Sequence, residues 1–407
     1  MVSHEAVRDF QLSAPPADFI DDPYPYYAAL REHDPLHRLG ADAVLLTRYE
    51  DALAVYRDAR ASSDKTVEFR PKFGDSPLYE HHTTSLVFND PPLHTRVRRL
   101  ILGALNQRAI ARMEADVVRL VDSLLVRMAE KGEVDVIEDF AACIPVEVIG
   151  NLLDIPHAER GPLRGWSLAI LSALEPAPGN ERLDRGNRAV REFIDHLGLL
   201  VAERRKRPGN PDADVLTRLI RGEGDADGER LTEKELYHNC IFLLNAGHET
   251  TTNLIGNGLW LLLTRPAEMA RLRATPDLIA SAVEEMLRYE GPIQLNNRRL
   301  LAAMQLGGKE LAAGTFLTIA IGAANRDPAQ FREPDRFDIA RNPNRHVAFG
   351  QGAHACAGMN VARMEARIAF SRLLERFKTI ELAGEPLRDR RIRFRGFRRL
   401  PVRVLEK

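Results

Sequence analysis

From Thr232 to Pro266 the chain carries no proline and opens with a helix-start signal. Thr232 and Glu235 form a T-x-x-E capping box, in which each side chain satisfies an orphan backbone N–H of the first turn. The uninterrupted stretch predicts a helix of about 30 residues, roughly 45–50 Å long at 1.5 Å per residue. A chain of this length is only roughly 55 Å across when folded. The helix must therefore cross most of the molecule. Its middle, Ile241-Phe242-Leu243-Leu244, is apolar on all sides, as a core-buried helix should be. Directly after it comes Asn245-Ala246-Gly247-His248-Glu249-Thr250-Thr251-Thr252-Asn253. Polar groups inside a core are expensive unless something uses them.

The rest of the chain reads as mainly α. Helical stripes dominate from about Leu93 to Met128 and from Thr232 onward. Strand-like runs occur at Val44-Leu45-Leu46, Phe316 to Ile321 and Leu400 to Val404, and Gly307-Gly308 reads as a hairpin turn. Arg204 to Asp214 and Arg221 to Arg230 read as exposed loops, with no repeat and no linker of domain-boundary type. Lys+Arg 57 against Asp+Glu 58 leaves a net charge of -1, so the chain is not built around the field of nucleic acid or anionic lipid. Cys143, Cys240 and Cys356 are too few for a disulfide framework and fit a reducing, cytoplasmic setting. No window reaches 18 consecutive apolar residues, so no bilayer span is expected.

The densest chemical signal is Phe349-Gly350-Gln351-Gly352-Ala353-His354-Ala355-Cys356-Ala357-Gly358. It follows an apolar run and precedes a helical stripe from Ala362 to Phe377. A cysteine at a helix N-terminus meets outward N–H groups and a positive dipole end, which lowers its pKa. Gly350 and Gly352 permit a tight turn, and Gly358 permits close approach of a flat ligand. Three readings compete. The segment is a buried cysteine in a glycine-rich turn, a nucleotide loop, or a thiolate on haem iron. Gly350, Gly352 and Ala355 match G-x-G-x-x-A, with Glu381 at a suitable distance, but only a short tail follows for the rest of a parallel sheet.

The pattern F-G-x-G-x-H-x-C-x-G resembles the haem loop of the cytochrome P450 family, complete at every fixed position. Other motifs of that family occur in the same order. The resemblance implies one domain over residues 1–407, with a small β-rich lobe near 35–60 and 291–325. It implies one haem b per chain with Cys356 as axial thiolate, and places Phe349, Gly350, His354, Cys356 and Gly358 around it. His94 and Arg98 match H-x-x-x-R and, with Arg298, stand as propionate ligands; neighbouring Arg299 leaves that register open. Glu285 and Arg288 match E-x-x-R, with Arg336 of P-x-R-F as their third, structural partner. Ala246, Gly247, Glu249 and Thr250 match the oxygen-activation motif, with small residues leaving space for dioxygen and the acid–alcohol pair delivering protons.

Retention of that pair argues for dioxygen and two electrons over direct use of peroxide. The expected activity is monooxygenation of a small or medium lipophilic substrate. The expected electron donors are a separate ferredoxin and its reductase, docking near Arg96, Arg99, Arg345 and Arg363. The chain is expected to be a monomer with no nucleic-acid or membrane partner. A haem-thiolate protein using peroxide or catalysing isomerisation, and a nucleotide-binding enzyme without haem, are the alternatives. By analogy the substrate pocket takes Phe69 and Phe73 from the Ser62 to Val87 segment, Ile293, Asn296 and Asn297 from a second wall, and Phe397 from the tail. The amides Asn245, Gln294, Asn296 and Asn297 contact either a polar handle on the substrate or only protein groups.

Overall fold

The computed structural model describes residues 2, 4–211, 214–222 and 231–407. Glu233–Leu263 is a helix of 31 residues, helical without a break. Its capping box closes as the sequence predicts. The Thr232 hydroxyl accepts from Glu235 N at 3.2 Å, and the Glu235 carboxylate accepts from Thr232 N at 2.8 Å. Helices Cys143–Leu152, Leu163–Ser172, Asn180–Lys206, Ile279–Tyr289 and Met359–Arg376 pack around it. They share one continuous apolar core that takes in Leu124, Phe140, Ile149, Phe193, Leu244, Leu259 and Phe370. Burial on this scale is what holds so long a helix inside the molecule.

A five-stranded sheet lies to one side, in the order Leu36–Arg38, Ala43–Leu46, Phe316–Ala320, Leu295–Leu300, Ala61–Ser62. Only the pairing of Ala43–Leu46 with Phe316–Ala320 is parallel. The strands come from two distant segments and carry their own apolar cluster around Val44, Leu46, Leu317 and Ile319. Gly307 and Gly308, at φ 53° and 76°, turn the hairpin between Met304–Leu306 and Lys309–Leu311. The Arg204 to Asp214 stretch is not all loop. Helix Asn180–Lys206 runs into it, and Asp214 caps Val215–Arg221 by accepting from Thr217 N at 3.1 Å. Most of the Arg221 to Arg230 stretch lies outside the described residues.

The glycine-rich loop does not belong to a nucleotide-binding β-α-β unit. The strand after its helix, Phe377–Leu382, pairs antiparallel with Pro401–Glu406 in a three-stranded sheet. That removes the parallel crossover such a site needs.

The C-terminal tail joins parts that lie far apart in sequence. Arg393 O accepts from Gln294 N at 2.8 Å, Arg395 N donates to Pro292 O at 2.8 Å, and Ile293 bridges Phe394 between them. Arg395 O accepts from Asn257 of the crossing helix at 2.9 Å, and Ile392 N donates to Glu175 Oε2 at 2.9 Å.

Candidate active site

Within the crossing helix Phe242, Leu243, Gly247 and Thr250 are partly exposed and Ala246 is exposed, while both flanks are buried. Spacings of three and four put these residues on one helix face. An open stripe in the middle of a core helix marks the wall of an internal site. Thr250 Oγ1 donates to Ala246 O at 2.6 Å, which fixes its rotamer on that wall. Gly247 answers to packing instead. A Cβ there would meet Ile149 Cδ1 at 2.7 Å, so its small size serves the approach of helix Cys143–Leu152, and Ala246 alone leaves the stripe open. Glu249 faces neither the stripe nor solvent. It is 3 % exposed, pairs with the Arg391 guanidinium of the tail, and has Oε2 without a partner.

The cysteine loop is set by two left-handed glycines, Gly350 at φ 64° and Gly352 at φ 70°. A Cβ on Gly352 would collide with Tyr56 O. Cys356 N donates to Phe349 O at 2.9 Å, closing the turn. The Cys356 sulfur accepts from Gly358 N. Burial pushes this thiol up from its ordinary value, and the Gly358 N–H, Arg98 and Arg363 only partly offset it. The lowering expected from a helix N-terminus is therefore opposed by the neighbouring atoms' desolvation of the sulfur, although Cys356 itself is exposed. No protein atom lies within 4 Å of the Cβ position at Gly358.

Helix Leu93–Ala104 carries His94 and Arg98 to this loop. Arg98 donates to Ala355 O at 2.7 Å, and the His94 and His354 rings lie 4.0 Å apart. His94 Nε2 is buried without a partner. Burial, then Arg298, His94, Arg98 and Lys65, push His354 down to about 3. Arg298 turns inward over the Tyr56 ring at 5.5 Å and donates to Asn296 Oδ1 and Asn297 O. Arg299 lies over Phe316 instead, so the two neighbours point to different rings. Neither Arg98 nor Arg298 meets a carboxylate within ion-pair distance among the described residues. Lys65, not foreseen from sequence, is 2 % exposed nearby and pairs with Glu68 at 2.8 Å. Two guanidiniums with no carboxylate in ion-pair contact, one buried and one half-buried, fit a ligand with two carboxylates.

Several other predicted positions lie elsewhere. Arg336 does not reach Glu285. Its side chain is exposed beside Glu333, and it offers only its carbonyl to Arg288, at 3.1 Å. Arg341 takes the place, donating from Nε to both Glu285 oxygens at 3.1 Å, with Asn344 as a further donor. The P-x-R-F arginine is held away because Arg288 already occupies that segment's carbonyls. Phe397 packs on Trp260 and Arg388, ten residues past Thr250 on the crossing helix, and Phe394 is the tail ring beside Ile293. Phe69 and Phe73 pack edge-on to each other and flank His82. Of the four amides, Asn245 and Gln294 each keep a buried oxygen without a partner, while Asn296 and Asn297 serve protein groups. Asn296 donates to Tyr56 Oη, and Asn297 donates to Thr318 Oγ1 and accepts from Arg393. Among the docking arginines, Arg96 pairs with Glu235 and Arg363 with Glu284, whereas Arg99 and Arg345 are exposed.

The profile of the family described as Cytochrome P450 matches residues 171–403. Cytochrome P450 107B1 of Saccharopolyspora erythraea is 39% identical over 406 residues, covering 95% of this chain and 96% of that protein. Cytochrome P450 monooxygenase PikC of Streptomyces venezuelae is 37% identical, covering 95% and 92%. The crystal structure of P450BioI, in complex with an acyl carrier protein ligated to hexadec-9Z-enoic acid, superposes with a TM-score of 0.90 at 33% identity, covering 96% of this chain and 100% of that one. The chain belongs to the cytochrome P450 family. It is a haem-thiolate monooxygenase, an oxidoreductase that binds one haem, takes electrons from redox partners and oxidises a lipophilic substrate with dioxygen. No helix among the described residues is long and apolar enough to cross a membrane.

Proposed function

We propose that Cys356 is the axial thiolate, that Arg98, Arg298, His94 and His354 hold the two propionates, and that Thr250 and Glu249 deliver protons. The observation that carries this is the pair of guanidiniums, Arg98 and Arg298, that meet no carboxylate in ion-pair contact among the described residues beside the cysteine loop. When bound, haem supplies the reductive activation of dioxygen, which no side chain can perform.

The chain's own residues then do four things. The Gly358 N–H on the Cys356 sulfur offsets part of the charge that burial penalises. Arg98 and Arg298 meet carboxylates with a planar, multi-donor fork. Ala246 keeps bulk off the open stripe, and Thr250, anchored on Ala246 O, keeps an oxygen directed at it. Glu249 keeps a carboxylate one residue away, held against the Arg391 guanidinium.

For the electron donor we propose a ferredoxin with an acidic face. Exposed Arg99, on the helix that carries Arg98, and exposed Arg345, just ahead of the cysteine loop, supply the complementary charge. Three free thiols accord with the cytoplasm as its compartment.

The test is the spectrum of the reduced, carbon-monoxide-treated protein. Wild type shows the thiolate-ligated Soret band, and Cys356→His loses it while still binding haem. A wild-type chain that takes up no haem, or a Cys356→Ser chain that keeps the band, overturns the assignment.

A further inference from the structure

On the side of the cysteine loop facing helix Ile279–Tyr289, four residues form a chain of contacts. Arg363 donates from Nε and Nη2 to the two oxygens of Glu284, each at 2.7 Å. His346 Nδ1 accepts from Ala348 N at 3.2 Å, so its Nε2 carries the proton it gives to Glu284 Oε2 at 3.1 Å. The Arg363 guanidinium lies 4.7 Å from the centre of the Phe349 ring, in the loop that holds Cys356. The pair is about 30 % and 26 % exposed, so its field is only partly screened.

Two cations stand against the loop that holds Cys356, Arg98 on Ala355 O and Arg363 over Phe349, and they differ in one respect. Arg98 has no carboxylate against it among the described residues. Arg363 is almost neutralised by Glu284. Burial works to raise the Glu284 carboxyl, but Arg363 and His346 hold it down to about 2, so it stays charged at neutral pH.

We propose that the Glu284–Arg363 pair trims the field at the Cys356 sulfur and so sets the reduction potential of the bound haem. Arg363 acts on the sulfur through space; Glu284 is a positioning residue that holds Arg363 on Phe349 and cancels part of its charge. Reduction adds one electron, from the external donor, to a centre already made electron-rich by the thiolate. A bare cation beside the sulfur favours the reduced state, and a paired one does so less. This rests on Cys356 being the haem ligand.

The experiment is a potentiometric titration of the haem-loaded protein. Glu284→Gln should shift the potential positive, and Arg363→Gln should shift it negative. The double variant should return towards wild type, because the two charges cancel. Structural damage would instead accumulate in the double variant. Arg363→Lys should shift the potential less than Arg363→Gln, and it remains usable if the glutamine variant fails to fold. Singles that both shift the same way, or that leave the potential at the wild-type value, overturn the proposal. If wild type itself takes up no haem, the ligand assignment fails first, and the visible spectrum before titration shows which has happened.

Discussion

The carboxylate of Glu249 lies against the guanidinium of Arg391, with side chains only 4 % and 5 % exposed, 142 residues apart in the chain. Asp389 Oδ2 lies 3.1 Å from Arg391 Nε, and Asp389 is the one member of the group at 40 % exposure. The acid expected to move protons thus sits behind an ion pair rather than in a water channel.

Breaking that pair strands a charge in the interior. Arg391→Gln should cost about 3–5 kcal/mol, the usual cost of leaving one partner of a buried pair alone. Urea unfolding of the apoprotein checks this, and a loss under about 1 kcal/mol would mean that water already reaches the site.

Thr250→Ala should leave substrate affinity within about twofold and divert electrons from product to peroxide. Proton transfer by a positioned group contributes about 10²–10⁴-fold, so the loss falls on product formed per electron consumed. Reductant consumption and product, measured together, decide it; unchanged coupling would remove Thr250 from the proton path.

Arg341 and Arg336 make a matched pair of tests. Arg341→Met leaves Glu285, at 0 % exposure, with one guanidinium fewer and should cost about 3–5 kcal/mol. Arg336→Met touches only an exposed contact with Glu333 and should stay within about 0.5 kcal/mol. Thermal unfolding of the two variants should therefore differ widely, and equal losses would restore the sequence expectation.

The crossing helix, its capping box, the glycine turn ahead of Cys356 and the Gly307-Gly308 hairpin were legible because each is decided by residues a few positions apart. The roles of Arg341, Arg391 and Lys65 were not. Each depends on a charge brought from a distant segment, and one arginine in a chain rich in them carries no local signal. Phe397 failed for a related reason. Alternation along the tail decides which ring turns inward, and the bridge from Ile293 to Phe394 sets that alternation. Gly247 was read as space for a ligand because sequence does not show which helix passes behind it.

Acid should weaken the apoprotein in a defined window. Burial pushes His82, His248 and His354 down to about 3 and His238 to about 4, and it lowers His81 as well. These imidazoles take up protons only on unfolding, so stability falls as pH drops below their unfolded value of about 6.5. Burial raises Asp51 to about 6 and Glu365 to about 8, and these act in the opposite sense, but they are outnumbered. Each uncompensated imidazole contributes roughly 1.4 kcal/mol per pH unit. Urea midpoints at pH 7, 6 and 5 check the slope, and a flat profile would mean the imidazoles are hydrated.

Gly352→Ala should displace the cysteine loop. The added methyl meets Tyr56 O, and the residue sits at φ 70°. Haem retention on gel filtration should fall sharply while the far-ultraviolet spectrum of helix stays the same. A variant that keeps its pigment would show that the loop can yield.

The tail carries a consequence for how the protein is made. Residues 391–395 reach Glu249 and Asn257 of the crossing helix, Glu175 and Gln294, so three distant stretches stay unfastened until this segment has been made. Closure of the interior, and with it capture of the pigment, therefore waits on this segment, and a nascent chain stalled ahead of residue 391 has an interior it cannot yet close.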